Sequence, residues 1–152
     1  MKTAWHYTTG QKAKMIFESG ELKPTDAFIE AQEKPILWFS KNQEWEQTAN
    51  KMLVGPGTLR QLTTDETRNM GGGLFRFGMP SNKLIQWPRL ARSANMRSKI
   101  QRALEEGGLR AGADFREWCG LLEPVSIAGL TCQTLTDSGW VELEISTPGG
   151  GE

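Results

Sequence analysis

The sequence predicts an α+β domain: short strands with a few short helices gathered mainly in the first half of the chain. Three observations carry this. Apolar or alternating runs are short, as in TAWHYT at 3–8, PILWFS at 35–40 and WVELEI at 140–145, which suits strands. Helical spacing of apolar residues holds only over brief stretches, such as 11–19 and 94–106. Glycine and proline punctuate the chain without forming a linker long enough to divide it.

Each element has its own local reason. Residues 3–8 alternate and are rich in aromatics, which predicts a strand with Trp5 and Tyr7 on one face and His6 and Thr8 on the other. Ala13, Ile16 and Phe17 predict a helix over 11–19. Thr8 and Gln11 have the spacing of a capping box at its start, and Gly20 fits its stop. Residues 21–34 are polar and read as a loop. Residues 35–40 predict a second strand, with Pro35 at its start where a missing amide is tolerated. Ser40 and Gln43 repeat the capping-box spacing, and a helix with Trp45, Thr48, Ala49 and Met52 on one face is expected after them. Gly55-Pro56-Gly57 closes it, and a strand is expected over 58–62. Residues 63–73 read as a loop with a short helix, ending in Gly71-Gly72-Gly73, and 74–79 as a strand. The helix at 94–106 has Met96, Ile100, Ala103 and Leu104 inward and a basic outer face. Residues 116–121 and 125–127 are short strand candidates. TCQTLT and WVELEI flank Asp137-Ser138-Gly139 and predict a closing hairpin. The expected organisation is one domain over 1–147 and a frayed tail at 148–152.

Composition narrows the function. The 152 residues are 38% hydrophobic and 24% charged, enough for a proper core in a soluble globular chain. Lysine plus arginine and aspartate plus glutamate both total 18. The resulting zero net charge gives no support to a dominant electrostatic nucleic-acid binder, while leaving room for a local basic patch. No apolar run approaches the ~20 residues of a membrane span, and MKTAWHYTTG lacks the apolar core of a secretory signal. Cys119, Cys132 and a single histidine fall short of the usual four-ligand zinc site. The expectation is a cytoplasmic protein with reduced thiols, no metal and no membrane contact.

Few residues stand out as carriers of chemistry. His6 and Tyr7, the chain's only histidine and only tyrosine, are neighbours at a strand end that opens into a helix. That is a place for a core histidine and equally for a ligand contact. Trp38-Phe39-Ser40 reads as core aromatics plus a cap, or as an aromatic wall and a hydroxyl for a flat ring. Glu117, beside Trp118 in a stretch of strand character, is an acid that needs a reason if buried; Glu123 competes with it. Gly71–Gly73 match neither a P-loop nor a dinucleotide fingerprint and read as a turn. Cys119 reads as an inert core thiol. Arg89, Arg92, Arg97, Lys99 and Arg102 make 89–102 locally basic, either as a solvated face or as a contact surface.

Three segments in order resemble the ADP-ribosyltransferase fold of the histidine type. They are Trp5-His6-Tyr7-Thr8-Thr9, the helix running to Ser19-Gly20-Glu21-Leu22-Lys23-Pro24, and Leu37-Trp38-Phe39-Ser40. The resemblance covers about the first 50 residues, and Trp38-Phe39-Ser40 stands where the family's second motif normally has a tyrosine. It implies a split or two-sheet β core and an enzyme that transfers ADP-ribose from NAD to an acceptor with release of nicotinamide. In that family the first-motif histidine, here His6, holds the nicotinamide ribose. By the same resemblance Tyr7, Thr8, Trp38, Phe39 and Ser40 line the NAD site, and Glu117 supplies the late acid. The acceptor, protein, nucleic acid or small molecule, stays open, as does a toxin-like role. An NAD-dependent RNA 2′-phosphotransferase and a non-enzymatic binding module using 89–102 are the alternatives.

Overall fold

A computed structural model describes residues 2–25, 30–55 and 58–145. The fold is mixed α and β, with few helices and a mostly antiparallel sheet. In chain order its elements are β1 (Thr3–Thr9), α1 (Gly10–Ser19), β2 (Glu21–Leu22), β3 (Leu37–Ser40), β4 (Met52–Gly55), β5 (Thr58–Gln61), α2 (Thr64–Gly71), β6 (Leu74–Pro80), β7 (Ile85–Gln86), α3 (Arg89–Ser93), α4 (Ser98–Arg110), β8 (Trp118–Leu121), β9 (Val125–Ser126), β10 (Thr131–Thr136) and β11 (Gly139–Leu143). The main sheet has seven strands in the order β11-β10-β6-β1-β3-β8-β7. β2 pairs with β9, and β4 with β5, as two small ladders.

The central strand is the one whose alternation was clearest. β1 lies between β6 and β3, with Trp5 opposite Gly78 and Ser40. Gly78 is required by that contact, since a Cβ there would stand 2.6 Å from the Trp5 ring. Ala4 and Phe77 join Leu22, Leu37, Phe39 and Ile127 in the main core, while Trp5 and Tyr7 pack with Trp45 and Leu74. A further cluster around Trp87, Leu90 and Trp118 closes the β8 side. Cys119 and Cys132 are buried, and burial pushes their thiols up to about 12 and about 11, so neither is a thiolate at neutral pH.

Several expected boundaries move for identifiable reasons. The cap of α1 is Thr9 rather than Thr8, and its side chain makes no capping bond. The helix start is instead tied to Gly73, whose carbonyl accepts from Gly10 N at 3.0 Å, and Gln11 Nε2 reaches the Met70 carbonyl. The helix ends at Gly20, as expected, with φ 79°. The helix expected after Ser40 does not form. Asn42 Oδ1 accepts from the Glu44 and Trp45 amides, but Glu46 is extended, at φ −88° and ψ 112°, and its Oε2 accepts from the Thr48 amide, so the chain does not continue into a helix. One 3₁₀ turn, Gln47–Ala49, remains, and Met52 opens β4. Of Gly55-Pro56-Gly57, the last two lie outside the described residues.

Residues 63–73 are more ordered than a loop. Thr63 and Glu66 form a reciprocal capping box that starts α2, and Gly72, at φ 79°, ends it. The helix expected at 94–106 is two helices: Asn95, at φ 59°, breaks the chain between α3 and α4. Met96 packs on the Trp87 cluster, whereas Ala103 and Leu104 are exposed rather than inward. The strand expected over 116–121 is shorter. The Asp114 carboxylate accepts from the Arg116 amide and winds Phe115–Glu117 into a 3₁₀ turn, so β8 begins at Trp118. The closing hairpin forms as β10 and β11, and the expected tail at 148–152 lies outside the described residues.

Candidate functional site

The ends of β1 and β3 open into a cleft of about 830 Å³, a size usual for small-molecule sites. The strands form its floor. Around them it is lined by the face of α1 carrying Lys12, Ile16 and Ser19 and by α4 and its end, with Ala103, Gly107 and Ala111 spaced one turn apart. His6, Tyr7, Thr8, Trp38, Phe39 and Ser40 all line this one cleft; Glu117 and Glu123 do not.

His6 is held in a defined state. Its Nδ1 lies 2.7 Å from the Trp38 carbonyl oxygen. A carbonyl only accepts, so Nδ1 carries the proton and donates, and Nε2 is left as an acceptor. Burial holds the His6 pKa below its ordinary value; the Trp38 bond opposes this in part, and the Lys12 charge adds to it. The ring rests against Phe39 with centroids 5.8 Å apart. Trp38 itself is half-buried, 5.7 Å from Trp87 and 5.9 Å from Trp118 between ring centroids, so aromatic rings form the adjoining side.

The acid inside the cleft is Glu46, which is 7% exposed. Ser40 Oγ donates to its Oε1 at 2.8 Å. Oε2 accepts from Thr48 Oγ1 at 2.7 Å, from Trp118 Nε1 at 3.2 Å and from Thr48 N at 3.3 Å. Glu117 stands instead at the end of its 3₁₀ turn, where its Oε1 accepts from Asn42 Nδ2 at 3.4 Å.

The loop that presents Ser40 and Glu46 is fastened from behind. Tyr7 Oη donates to the Asn42 carbonyl, and Trp140 Nε1 to that of Glu44 at 2.9 Å. Arg76 donates to the Gln43 carbonyl, to Tyr7 Oη at 3.2 Å and to Gln133 Oε1 at 2.8 Å. Burial pushes the Tyr7 hydroxyl up to about 12, with the Arg76 bond opposing, so Tyr7 is a neutral donor at any working pH.

Three cations line the cleft, Lys12, Lys23 and Lys51, and of these Lys12 and Lys51 pair with no carboxylate among the described residues. Lys23 at the rim pairs with Glu21 at 3.8 Å. Glu46, Trp118, Lys12 and Lys51 were not singled out in the sequence. Glu46 and Thr48 sit in a segment with helical spacing, and exposed lysines carry no pattern. Ser-x-Asn before Trp-Glu-x-Thr was the one available signal, polar groups interleaved with an aromatic.

The α4 wall makes a testable contrast. A Cβ at Gly108 would stand 2.7 Å from the Trp118 ring, which the Glu46 bond holds in place, whereas one at Gly107 meets nothing nearer than Arg110 Nη2 at 3.9 Å. Gly107→Ala should therefore raise stability by about 0.5–1 kcal/mol, the helix-propensity gain. Gly108→Ala should lower it by about 1–2 kcal/mol, since overpacking outweighs that gain. Urea denaturation of the two variants reads the opposite signs directly.

No family model, no curated protein and no solved structure matches the chain. No helix among the described residues is long and apolar enough to cross a membrane, and no group of three or more His, Cys, Asp or Glu among them is placed to hold a metal ion.

Proposed function

We propose that the chain is an ADP-ribosyltransferase of the histidine type that consumes NAD as substrate and acts in the cytoplasm. The observation that carries this reading is the meeting of three groups in one cleft. These are a neutral histidine offering Nε2 as acceptor, an aromatic side formed by Trp38, and a buried carboxylate beside Ser40. Nε2 accepts a hydrogen bond from a ribose hydroxyl. The aromatic side packs against the flat nicotinamide ring. Lys12 and Lys51 supply positive charge for the diphosphate. The α+β fold with short strands suits the same reading.

The chemistry asks little covalent work of the protein. The bond between the ribose C1′ and the nicotinamide nitrogen breaks, and its electron pair leaves with nicotinamide as a neutral molecule. Positive charge spreads over C1′ and the ring oxygen. A nucleophilic oxygen or nitrogen of the acceptor then bonds to C1′ and gives its proton to solvent; with water as acceptor the products are ADP-ribose, nicotinamide and a proton. A fixed negative charge near C1′ in a site shielded from water lowers the barrier, and the cleft aligns the reactants.

The test is nicotinamide release from NAD by the purified protein, with NAD binding measured by calorimetry. Binding together with release supports the reading, and labelled NAD then identifies the acceptor class in a lysate. Neither binding nor release overturns it in favour of a binding module. For that alternative, the exposed Arg89, Arg92, Arg97, Lys99 and Arg102 across α3 and α4 are the surface to examine. Nucleic-acid binding there would fall steeply with salt.

A further inference from the structure

We infer that Glu46, rather than Glu117, is the carboxylate that faces the sugar in this cleft, with Ser40 as its positioning residue; the inference rests on the reading just given. Among the acids lining the cleft, Glu21 sits at the rim and pairs with Lys23, while Glu46 is buried. Burying a carboxylate is costly unless donors surround it. Here the donors are unevenly placed. Oε2 takes all of Thr48 Oγ1, Thr48 N and Trp118 Nε1, whereas among the described residues Oε1 takes only Ser40 Oγ. An ionised oxygen has two lone pairs, so Oε1 keeps one free.

That arrangement suits a group that must stay fixed. The Oε2 donors orient the carboxylate and leave Oε1 for the ligand. The position is rigid as well. Trp118 is clamped between Glu46 and Gly108, and the loop 41–46 is held from behind by Tyr7 and Arg76. A negative charge held in this way needs little reorganisation when positive charge develops opposite it. Glu117 lacks these features: it is outside the cleft, with one long bond to Asn42.

Four proteins are compared for nicotinamide release, NAD affinity and circular dichroism: the wild type, Glu46→Gln, Glu117→Gln and Ser40→Ala. Glutamine can keep the Oε2 bonds through its carbonyl and donate to Ser40 Oγ, so the fold should survive. Glu46→Gln should cut release about 100-fold, the scale of losing one oriented electrostatic group, with NAD affinity changed less than about fivefold. Glu117→Gln should stay within about threefold. Ser40→Ala removes the one donor to Oε1 among the described residues and should lower kcat about 10-fold with KM unchanged, because the carboxylate loses its orientation. If Glu46→Gln misfolds, Ser40→Ala decides alone: a lower kcat at unchanged KM supports the inference, and an unchanged kcat overturns it. Release retained by folded Glu46→Gln, or lost in Glu117→Gln, also overturns it while leaving NAD cleavage standing. A wild type that neither binds nor cleaves NAD removes the functional reading itself, and the inference with it.

Discussion

Replacing Arg76 with methionine should cost about 3 kcal/mol of stability, and urea denaturation is the measurement that reads it. Arg76 on β6 is only 6% exposed, yet no carboxylate among the described residues pairs with it. Burial lowers its pKa, but a guanidinium so strongly basic stays charged. Two kinds of contact compensate. Its Cζ lies 3.9 Å from the Trp5 ring centre and 4.3 Å from that of Trp140, a cation held between two aromatic faces. Its donors meet Gln133 Oε1, Tyr7 Oη and the Gln43 carbonyl.

Methionine fills part of the volume and makes none of those bonds. Each cation–π contact is worth about 0.5–2 kcal/mol. A hydrogen bond to a charged group contributes about 1.5–3 kcal/mol. Against these stands the relief of removing a buried charge, which offsets part of the sum and keeps the net near 3 kcal/mol. For a chain of this length that corresponds to a Tm lower by about 6–12 °C. Arg76→Lys should recover less than half, because an ammonium keeps the charge but neither stacks nor forks. A loss below 1 kcal/mol in Arg76→Met would show that the aromatic sandwich contributes little. The same contacts fasten Gln43, so the variant should also loosen the segment that presents Ser40 and Glu46.

That segment shows where sequence and structure part. The β1 alternation, the Gly20 stop and the β10–β11 hairpin are local patterns, and each forms where it was expected. Trp45, Thr48, Ala49 and Met52 are also a local pattern, at good helical spacing. There the backbone amides are claimed by Asn42 and Glu46, and Trp45 turns to pack 5.0 Å from Tyr7 between ring centroids. Tertiary contact overrides spacing, and the spacing itself does not reveal it. The break at Asn95 was hidden likewise, because Met96 fits either an inward helical position or the loop that packs on Trp87. In the site, Trp38 and Ser40 were legible because β3 ends at Ser40; His6 stood out as the one histidine, but it lies in the middle of β1 rather than at the strand end the sequence suggested. Glu46 was not, since an acid just beyond a cap reads as an exposed helical residue until Trp118, distant in sequence, is seen to bond it.

Converting His6 to alanine should lower kcat/KM for nicotinamide release by about 10- to 100-fold, an acceptor lost together with a carbonyl left unpaired. Two features of His6 give this prediction a pH signature. The active form is the neutral ring with Nε2 unprotonated. Burial, helped by Lys12 and opposed by the Trp38 bond, keeps its pKa below the usual 6.5. Release should therefore be insensitive to His6 from pH 8 down past 6.5 and fall only at lower pH. Stability follows the same sign. Below about 6.5 the unfolded chain takes up a proton that the folded one still refuses. The stability tied to neutral His6 is thus complete above 6.5, declines as pH falls towards the folded pKa, and levels off beneath it. His6→Asn separates the two roles. Its amide N–H can donate to the Trp38 carbonyl in place of Nδ1, but nothing replaces Nε2. The asparagine variant should regain much of the stability lost in alanine, lose the pH-dependent decline, and stay as slow as alanine in release. Recovery of release by asparagine would mean that His6 serves only to hold Trp38.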